Sequence, residues 1–277
     1  MPDEIQSFLR TNRENQFIFI NNSEIPGVQS FDGSFSVNNQ ALKFLGMANT
    51  AQLPKGGSVG NISLSTLMIA ADSLLSLTGD AGFNGFILKS RDSFAENFSF
   101  ASGYLTSYIS RYSLGQIPTI EMSALIFGDM GRNRSKSMPA LNTAAQGLKI
   151  PGAGSIDISF ADFETNRVTS YDININVNRT PVYSIGNKSP VAVYRSNPIE
   201  VTCAFQIEIS NYAYNRIKDY PENKVMENLS LTVKDFNTNQ AITSYSFSNL
   251  ELVSQSYNTS VDSDATLNLQ YKTLITV

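Results

Sequence analysis

From Ser170 to Asn178 polar and apolar residues alternate without a break: Ser170, Asp172, Asn174, Asn176 and Asn178 against Tyr171, Ile173, Ile175 and Val177. A strand places successive side chains on opposite faces, so this period of two predicts one buried face and one wet face. The same pattern runs through Ser30, Asp32, Ser34, Ser36 and Asn38 against Phe31, Phe35 and Val37. It returns in Val201, Cys203, Phe205, Ile207 and Ile209 against Thr202, Ala204, Gln206, Glu208 and Ser210, a partner strand, and in Leu267, Leu269 and Tyr271. Helical spacing is scarce. Ala70 to Leu77 and Asn211 to Tyr220 each follow a long strand and predict short helices, the second ended by Pro221. Lys55-Gly56-Gly57, Gly79 to Gly82 and Asn84-Gly85 mark loops and turns. The fold class expected is mainly β: antiparallel sandwich or partly closed barrel, with a short helix in each half.

The halves of the chain resemble each other. Set against residues 168–186, residues 28–46 share six identities over nineteen positions without a gap: Val28/Val168, Ser30/Ser170, Asp32/Asp172, Val37/Val177, Asn38/Asn178 and Gly46/Gly186. Farther on, Asn61-Ile62-Ser63-Leu64 is similar to Pro198-Ile199-Glu200-Val201. Phe98-Ser99-Phe100 and Leu105-Thr106-Ser107 then sit like Tyr245-Ser246-Phe247 and Leu252-Val253-Ser254. Matches kept in the same order point to an internal duplication, because alternation alone restores neither order nor spacing. The organisation expected is an N-terminal arm at 1–16, a first β module at 17–128, a linker at 129–154 and a second module at 155–277. The linker holds turn residues and a small basic cluster, Arg132, Arg134 and Lys136, with no sustained period.

Composition narrows the chemistry. The chain has no histidine and one cysteine, Cys203. That removes the commonest general base and zinc ligand, every Ser-His or Cys-His pair, any intrachain disulfide and any thiolate metal cluster. Cys203 falls on the apolar side of its strand and reads as a core thiol. Asp157, Asp162 and Glu164 form one loose acidic group and Asp262 with Asp264 another, but neither has calcium-loop spacing. Gly79 to Gly85 lacks the Lys-Ser/Thr of a phosphate loop. The net charge of −4 disfavours tight binding to a nucleic-acid backbone, which needs clustered cations, though not passage of DNA along a neutral surface. Met1 to Asn15 carries charges in place of an apolar signal core, and no run approaches the ~18 apolar residues of a membrane span. We therefore expect no enzyme, cofactor, metal or membrane, and synthesis in a cytoplasm.

Asn15 to Ile20, followed by Ile25-Pro26-Gly27-Val28-Gln29-Ser30-Phe31-Asp32, resembles the opening of a bacteriophage tail-tube protein: a strand, a Pro-Gly turn and a second strand. Asn166 to Asp172, Pro198 to Val201 and Phe100 to Tyr108 look like other parts of the same module. The likeness covers most of residues 17–128 and 155–277. It implies rings of subunits around a strand-lined lumen, stacked into a tube through which the genome passes. With two modules per chain, it implies homotrimeric rings of pseudo-sixfold symmetry. The partners implied are further copies of the chain, sheath or baseplate and neck proteins, and passing DNA bound without sequence preference; the location implied is the virion tail. The same module occurs in baseplate hubs and tail-completion proteins. The residues expected to line the lumen are Ser30, Asp32, Ser34, Ser36, Asn38, Ser170, Asp172, Asn174, Asn176, Asn178, Thr202, Gln206 and Glu208. A different class of function, a carbohydrate-binding β-sandwich, would need aromatic platforms on loops; the chain has no Trp, and Tyr112 is the loop tyrosine to test.

Overall fold

The computed structural model describes residues 17–36, 39–42, 51–54, 59–90, 93–132, 148–152, 155–160, 168–187, 189–208, 226–260 and 263–275. In chain order its strands are β1 (Phe17–Ile20), β2 (Ser23–Glu24), β3 (Val28–Ser36), β4 (Asn39–Leu42), β5 (Ala51–Pro54), β6 (Val59–Leu67), β7 (Phe83–Ser90), β8 (Ser93–Ser113), β9 (Thr119–Ile126) and β10 (Met130–Arg132). The second half follows with β11 (Ile156–Phe160), β12 (Val168–Asn176), β13 (Arg179–Val182), β14 (Ala192–Arg195), β15 (Ile199–Glu208), β16 (Met226–Lys234), β17 (Ala241–Ser260) and β18 (Ser263–Ile275). All described pairings are antiparallel, as the alternation requires.

In the first half β3 pairs with β6, β6 with β9, β9 with β8, β8 with β7 and β7 with β1. In the second, β12 pairs with β15, β15 with β18, β18 with β17, β17 with β16 and β16 with β11. Two hairpins, β4–β5 and β13–β14, stand off as separate two-stranded sheets. Sharp corners fall where the sequence supplies permissive residues. Gly27, after Pro26, has φ 76, and a side chain there would meet the Leu67 carbonyl oxygen at 2.8 Å.

A seam joins the two halves of the chain. β8 is 21 residues long and pairs along one edge with both β7 and β12, the latter from Ser113↔Ser170 to Ser107↔Asn176. The halves are thereby fused into one 14-stranded sheet. They also share one core, in which Tyr108, Tyr171, Ile173, Val201, Cys203, Leu231 and Tyr245 are buried together. Burial pushes the Cys203 thiol up to about 12, the condition of an inert core cysteine.

Three local expectations change. The stretch read as a linker from Asp129 begins with β10, which hydrogen-bonds Met130–Arg132 to Phe98–Phe100. Its far end is anchored: Lys149 N donates to Ile69 O (2.9 Å), Phe236 N to Ile150 O (3.0 Å), and Ile150 N to Asp235 Oδ1 (3.0 Å). Ala70 to Leu77 is not a helix but leads to a single 3-10 turn, Leu75–Thr78. The Asp72 carboxylate takes the Leu74 and Leu75 amides (2.9 and 3.3 Å) and confines the helix to that turn. The likeness of Asn61–Leu64 to Pro198–Val201 is out of register. Phe31 lies opposite Leu64 whereas Tyr171 lies opposite Phe205, so Leu64 answers to Phe205 and not to Val201. The arm at 1–16, the helix expected at 211–220, Asn38, and Arg134 and Lys136 of the basic cluster lie outside the described residues.

A buried polar cluster ties the halves. The Tyr108 hydroxyl of β8 donates to Asp72 Oδ2 and lies 2.5 Å from the Tyr245 hydroxyl of β17. Burial raises the Asp72 carboxyl above its usual range, against the lowering effect of the Tyr108 hydrogen bond. Tyr108→Phe should cost about 1–3 kcal/mol by stranding an oxygen of Asp72. Because that bond favours the charged carboxylate, the penalty should be largest at neutral pH and shrink as pH falls through the folded-state pKa of Asp72. Urea unfolding of both proteins across that interval measures it.

Candidate functional site

The wet face of the sheet forms the candidate surface. From Ser170 onward, each even-numbered residue of β12 lies opposite an even-numbered residue of β15: Ser170↔Gln206, Asp172↔Ala204, Asn174↔Thr202 and Asn176↔Glu200. On the other side of β12, Ser170, Asp172, Asn174 and Asn176 face Ser113, Arg111, Ile109 and Ser107 of β8. The row continues through β9 and β6 to β3 as Ser107↔Ser123, Ser123↔Ser63 and Ser63↔Asp32. One polar row thus crosses the fused seam from Asp32 in β3 to Asn176 in β12. Eight strands in the order β3-β6-β9-β8-β12-β15-β18-β17 share this face. At roughly 4.8 Å per strand they span about 34 Å.

The residues expected to line a lumen come together on it, at different depths. Ser30, Asp32, Ser34 and Ser36 are exposed on the outermost strand of this series, while Ser170, Asp172, Asn174 and Asn176 are half-buried at its centre. Thr202, Gln206 and Glu208 are half-buried on β15, and Asn178 is exposed just beyond the end of β12. Ser170 Oγ reaches Gln206 Oε1 at 3.4 Å. Over the seam the face is dished, with an open depression of about 360 Å³ lined by Arg111, Asp172, Gln206, Ser254, Asn268 and Gln270 among others.

Sequence reasoning missed the cations of this face. Arg111 projects at its centre, its Nε 2.8 Å from Asp172 Oδ2 and its Nη1 2.7 Å from Glu121 Oε2. The hydrogen bond to Asp172, with the charges of both carboxylates, raises the guanidinium pKa. Lys272 Nζ lies 2.8 Å from Glu200 Oε2. These exposed pairs add little stability, about 0–1 kcal/mol each. Their effect is electrostatic: a polyanion meets each cation already matched by carboxylates on neighbouring strands. The face is polar and internally neutralised, not cation-free. The alternation Ser107, Ile109, Arg111, Ser113 could have placed Arg111 on the wet side, but only the β8–β12 pairing brings it to Asp172.

No protein-family model matches the chain, and no curated protein matches it in sequence. The chemistry must therefore be read from the residues.

Tyr112, the candidate loop tyrosine, lies in β8 and is 6% exposed, stacked on Tyr171 with ring centroids 5.8 Å apart. Its position one residue from Arg111 puts it on the opposite, apolar face. Asp157 is ion-paired with Lys234; Asp162, Glu164 and Asp262 lie outside the described residues, as does the side chain of Asp264. Among the described residues no three His, Cys, Asp or Glu side chains are grouped to hold a metal ion. No described helix is long and apolar enough to cross a membrane. The Gly79 loop serves the protein itself: Arg179 of β13 donates to Gly79 O (2.6 Å) and Leu105 O (2.9 Å), and burial lowers its pKa. The second half's hairpin is thereby pinned to the first half.

Proposed function

We propose that the protein is a structural subunit of a bacteriophage tail, built from two copies of a tail-tube-like module and closing with further copies into a ring whose polar sheet face lines the bore. The carrying observation is that face: eight contiguous strands, predominantly polar, on which Arg111 and Lys272 are each paired with carboxylates.

The duplication is supported by irregularities that recur in register. A bulge interrupts β3–β6 between Val28 and Ser30, and one interrupts β12–β15 between Val168 and Ser170. The β7–β8 ladder breaks between Phe83 and Gly85, the β16–β17 ladder between Glu227 and Leu229. The β8–β9 ladder breaks between Leu105 and Ser107, the β17–β18 ladder between Leu252 and Ser254. Ser102 and Asn249, at matching points of the two long strands, both take positive φ, 55° and 56°. Bulges re-aim strands and are specific features of a fold, so six in matched places favour descent from one module.

A surface that conducts DNA must hydrate it without holding it. Counterion release gives affinity only where unpaired Lys and Arg meet phosphates, and Arg111 and Lys272 are each already occupied. Three duplicated chains would present six modules, the trimeric ring of pseudo-sixfold symmetry. By the same resemblance, a tube, baseplate hub or neck position, beside sheath, baseplate or neck proteins, would each suit such a ring. The glycan-binding alternative loses its candidate platform with the burial of Tyr112.

Sedimentation of the full-length protein over a wide concentration range, with negative-stain images of the same samples, tests this proposal. The expected result is a discrete closed oligomer that appears as rings with a central opening and stacks at high concentration. A strict monomer at every concentration would contradict it.

A further inference from the structure

Within the chain, β8 fills one edge of β12, and β15 fills the other. Its counterpart β3 has β6 on one edge, and among the described residues no strand runs along the other. The counterpart of β8 is β17. Its residues 254–260 pair with β18 on one edge, and no described strand runs along the other at that level. Among the described residues a half-seam is thus left at each side, and the two halves match. Resting on the duplication proposed above, we infer that the outer edge of β3 pairs antiparallel with residues 254–260 of β17 in a second copy of this chain, repeating the β8–β12 seam.

The internal seam fixes the register. Ser170↔Ser113, Asp172↔Arg111, Asn174↔Ile109 and Asn176↔Ser107 become Ser30↔Ser260, Asp32↔Asn258, Ser34↔Ser256 and Ser36↔Ser254 between copies. The matched ladder breaks, Val28/Ser30 with Val168/Ser170 and Leu105/Ser107 with Leu252/Ser254, set these correspondences without adjustment.

Burial gives a second, independent sign. At the internal seam the apolar side is closed: Tyr171 is 2% and Ile175 6% exposed. At the matching positions of β3, Phe31 is only half-buried and Phe35 is 61% exposed. On β17, Tyr257 is 46% exposed, whereas Ser110, its counterpart on β8, is fully buried. Apolar side chains that lie open at both outer edges are those a neighbouring copy would cover. An edge of unpaired backbone groups beside an open phenylalanine is a template for strand addition. Because the two edges differ, the contact is head-to-tail, and repeating it generates a ring or a helix of copies.

Cross-linking of full-length variants with a short bis-maleimide reads the register directly. Ser34→Cys and Ser256→Cys in one chain should convert the monomer band of a denaturing gel into a ladder of linked chains. Ser30→Cys with Ser256→Cys, four residues out of register and roughly 13 Å apart along the strand, should give none. The internal pair Ile109→Cys with Asn174→Cys reports the same geometry within one chain and serves as the positive control. A linked dimer from Ser34→Cys alone would mean that β3 pairs with β3 of another copy and would overturn the inference. A closed oligomer by sedimentation without linking at Ser34/Ser256 would overturn the register while leaving the ring reading standing. A monomer that fails to link would overturn both.

Discussion

Ile173→Ala is expected to lower the unfolding free energy by about 2–5 kcal/mol. Ile173 is fully buried in β12, opposite Cys203 of β15 on one side and Ser110 of β8 on the other. It sits where the halves fuse, so the cavity left by its truncation cannot collapse without moving both ladders. The neighbouring change Asn174→Ala, on the wet face, should stay within about 0.5 kcal/mol, because among the described residues the Asn174 Oδ1 it removes accepts no hydrogen bond. Urea unfolding followed by circular dichroism and by tyrosine fluorescence measures both. With one core across the seam, the two probes should report one transition in the parent protein, and Ile173→Ala should shift both curves together. A lone shift of one phase would show that the halves unfold separately.

The second large effect is expected at Gly85. It lies opposite Phe100 across β7 and β8, and the ring of Phe100 covers it. A methyl group there would meet Phe100 Cζ at 2.1 Å and Cε1 at 2.4 Å. The ring has little room to yield, since Phe83 packs edge-on at 5.9 Å and Phe31 stacks at 6.4 Å. Gly85→Ala should therefore cost about 1–3 kcal/mol through overpacking. It should also loosen β3, because Phe31 is displaced with Phe100, and so weaken assembly beyond its effect on folding. Gly79→Ala is the control: its added carbon meets only the Ser76 carbonyl oxygen at 3.6 Å, its φ of −65° suits any residue, and its stability should change by less than about 1 kcal/mol. Thermal melts and sedimentation of the two variants separate the outcomes.

What could be read from the sequence, and what could not, divides along the range of the interactions. Alternation is a local property, so β3, β12 and β15 follow from residue types alone, and so do the buried sides of β12 and β15; the apolar side expected to be buried on β3 is not, since Phe31 is half-buried and Phe35 exposed. Tyr171, Ile173, Cys203 and Phe205 fall in the core as their parity requires. The likeness of Phe98–Phe100 to Tyr245–Phe247 is also in register, since Gly85 lies opposite Phe100 and Leu229 opposite Phe247 across matched breaks. The likeness of Asn61–Leu64 to Pro198–Val201 is not, because short apolar alternations slide by two or four residues without changing parity. The pairing of β15 with β12 was expected, but the pairing between the halves escaped the sequence. Nothing local to β8 or β12 says that they pair, and with that seam went Arg111, whose significance lies in Asp172 across it. Tyr112 was misplaced for the same reason: next to a turn it reads as a loop residue, and only the length of β8 carries it inward. The helix expected after β6 gave way to one side chain, Asp72, which satisfies backbone amides that a helix would have used.

The two outer edges also explain how such a sheet avoids indiscriminate aggregation. Exposed strands invite any strand, but β3 is met by β17 only where bulges, register and the open face of Phe35 all agree. Specificity of this kind comes from geometry distributed over several residues rather than from one strong contact.

Cryo-electron microscopy of the assembled full-length protein, at a resolution that separates strands, examines the central claim directly. It should reveal an unbroken sheet around a central opening, β3 of each copy laid against β17 of the next, with Asp32, Arg111 and Asp172 facing the opening. Particles in which these residues face outward, or in which copies meet through any surface other than those two edges, would contradict it.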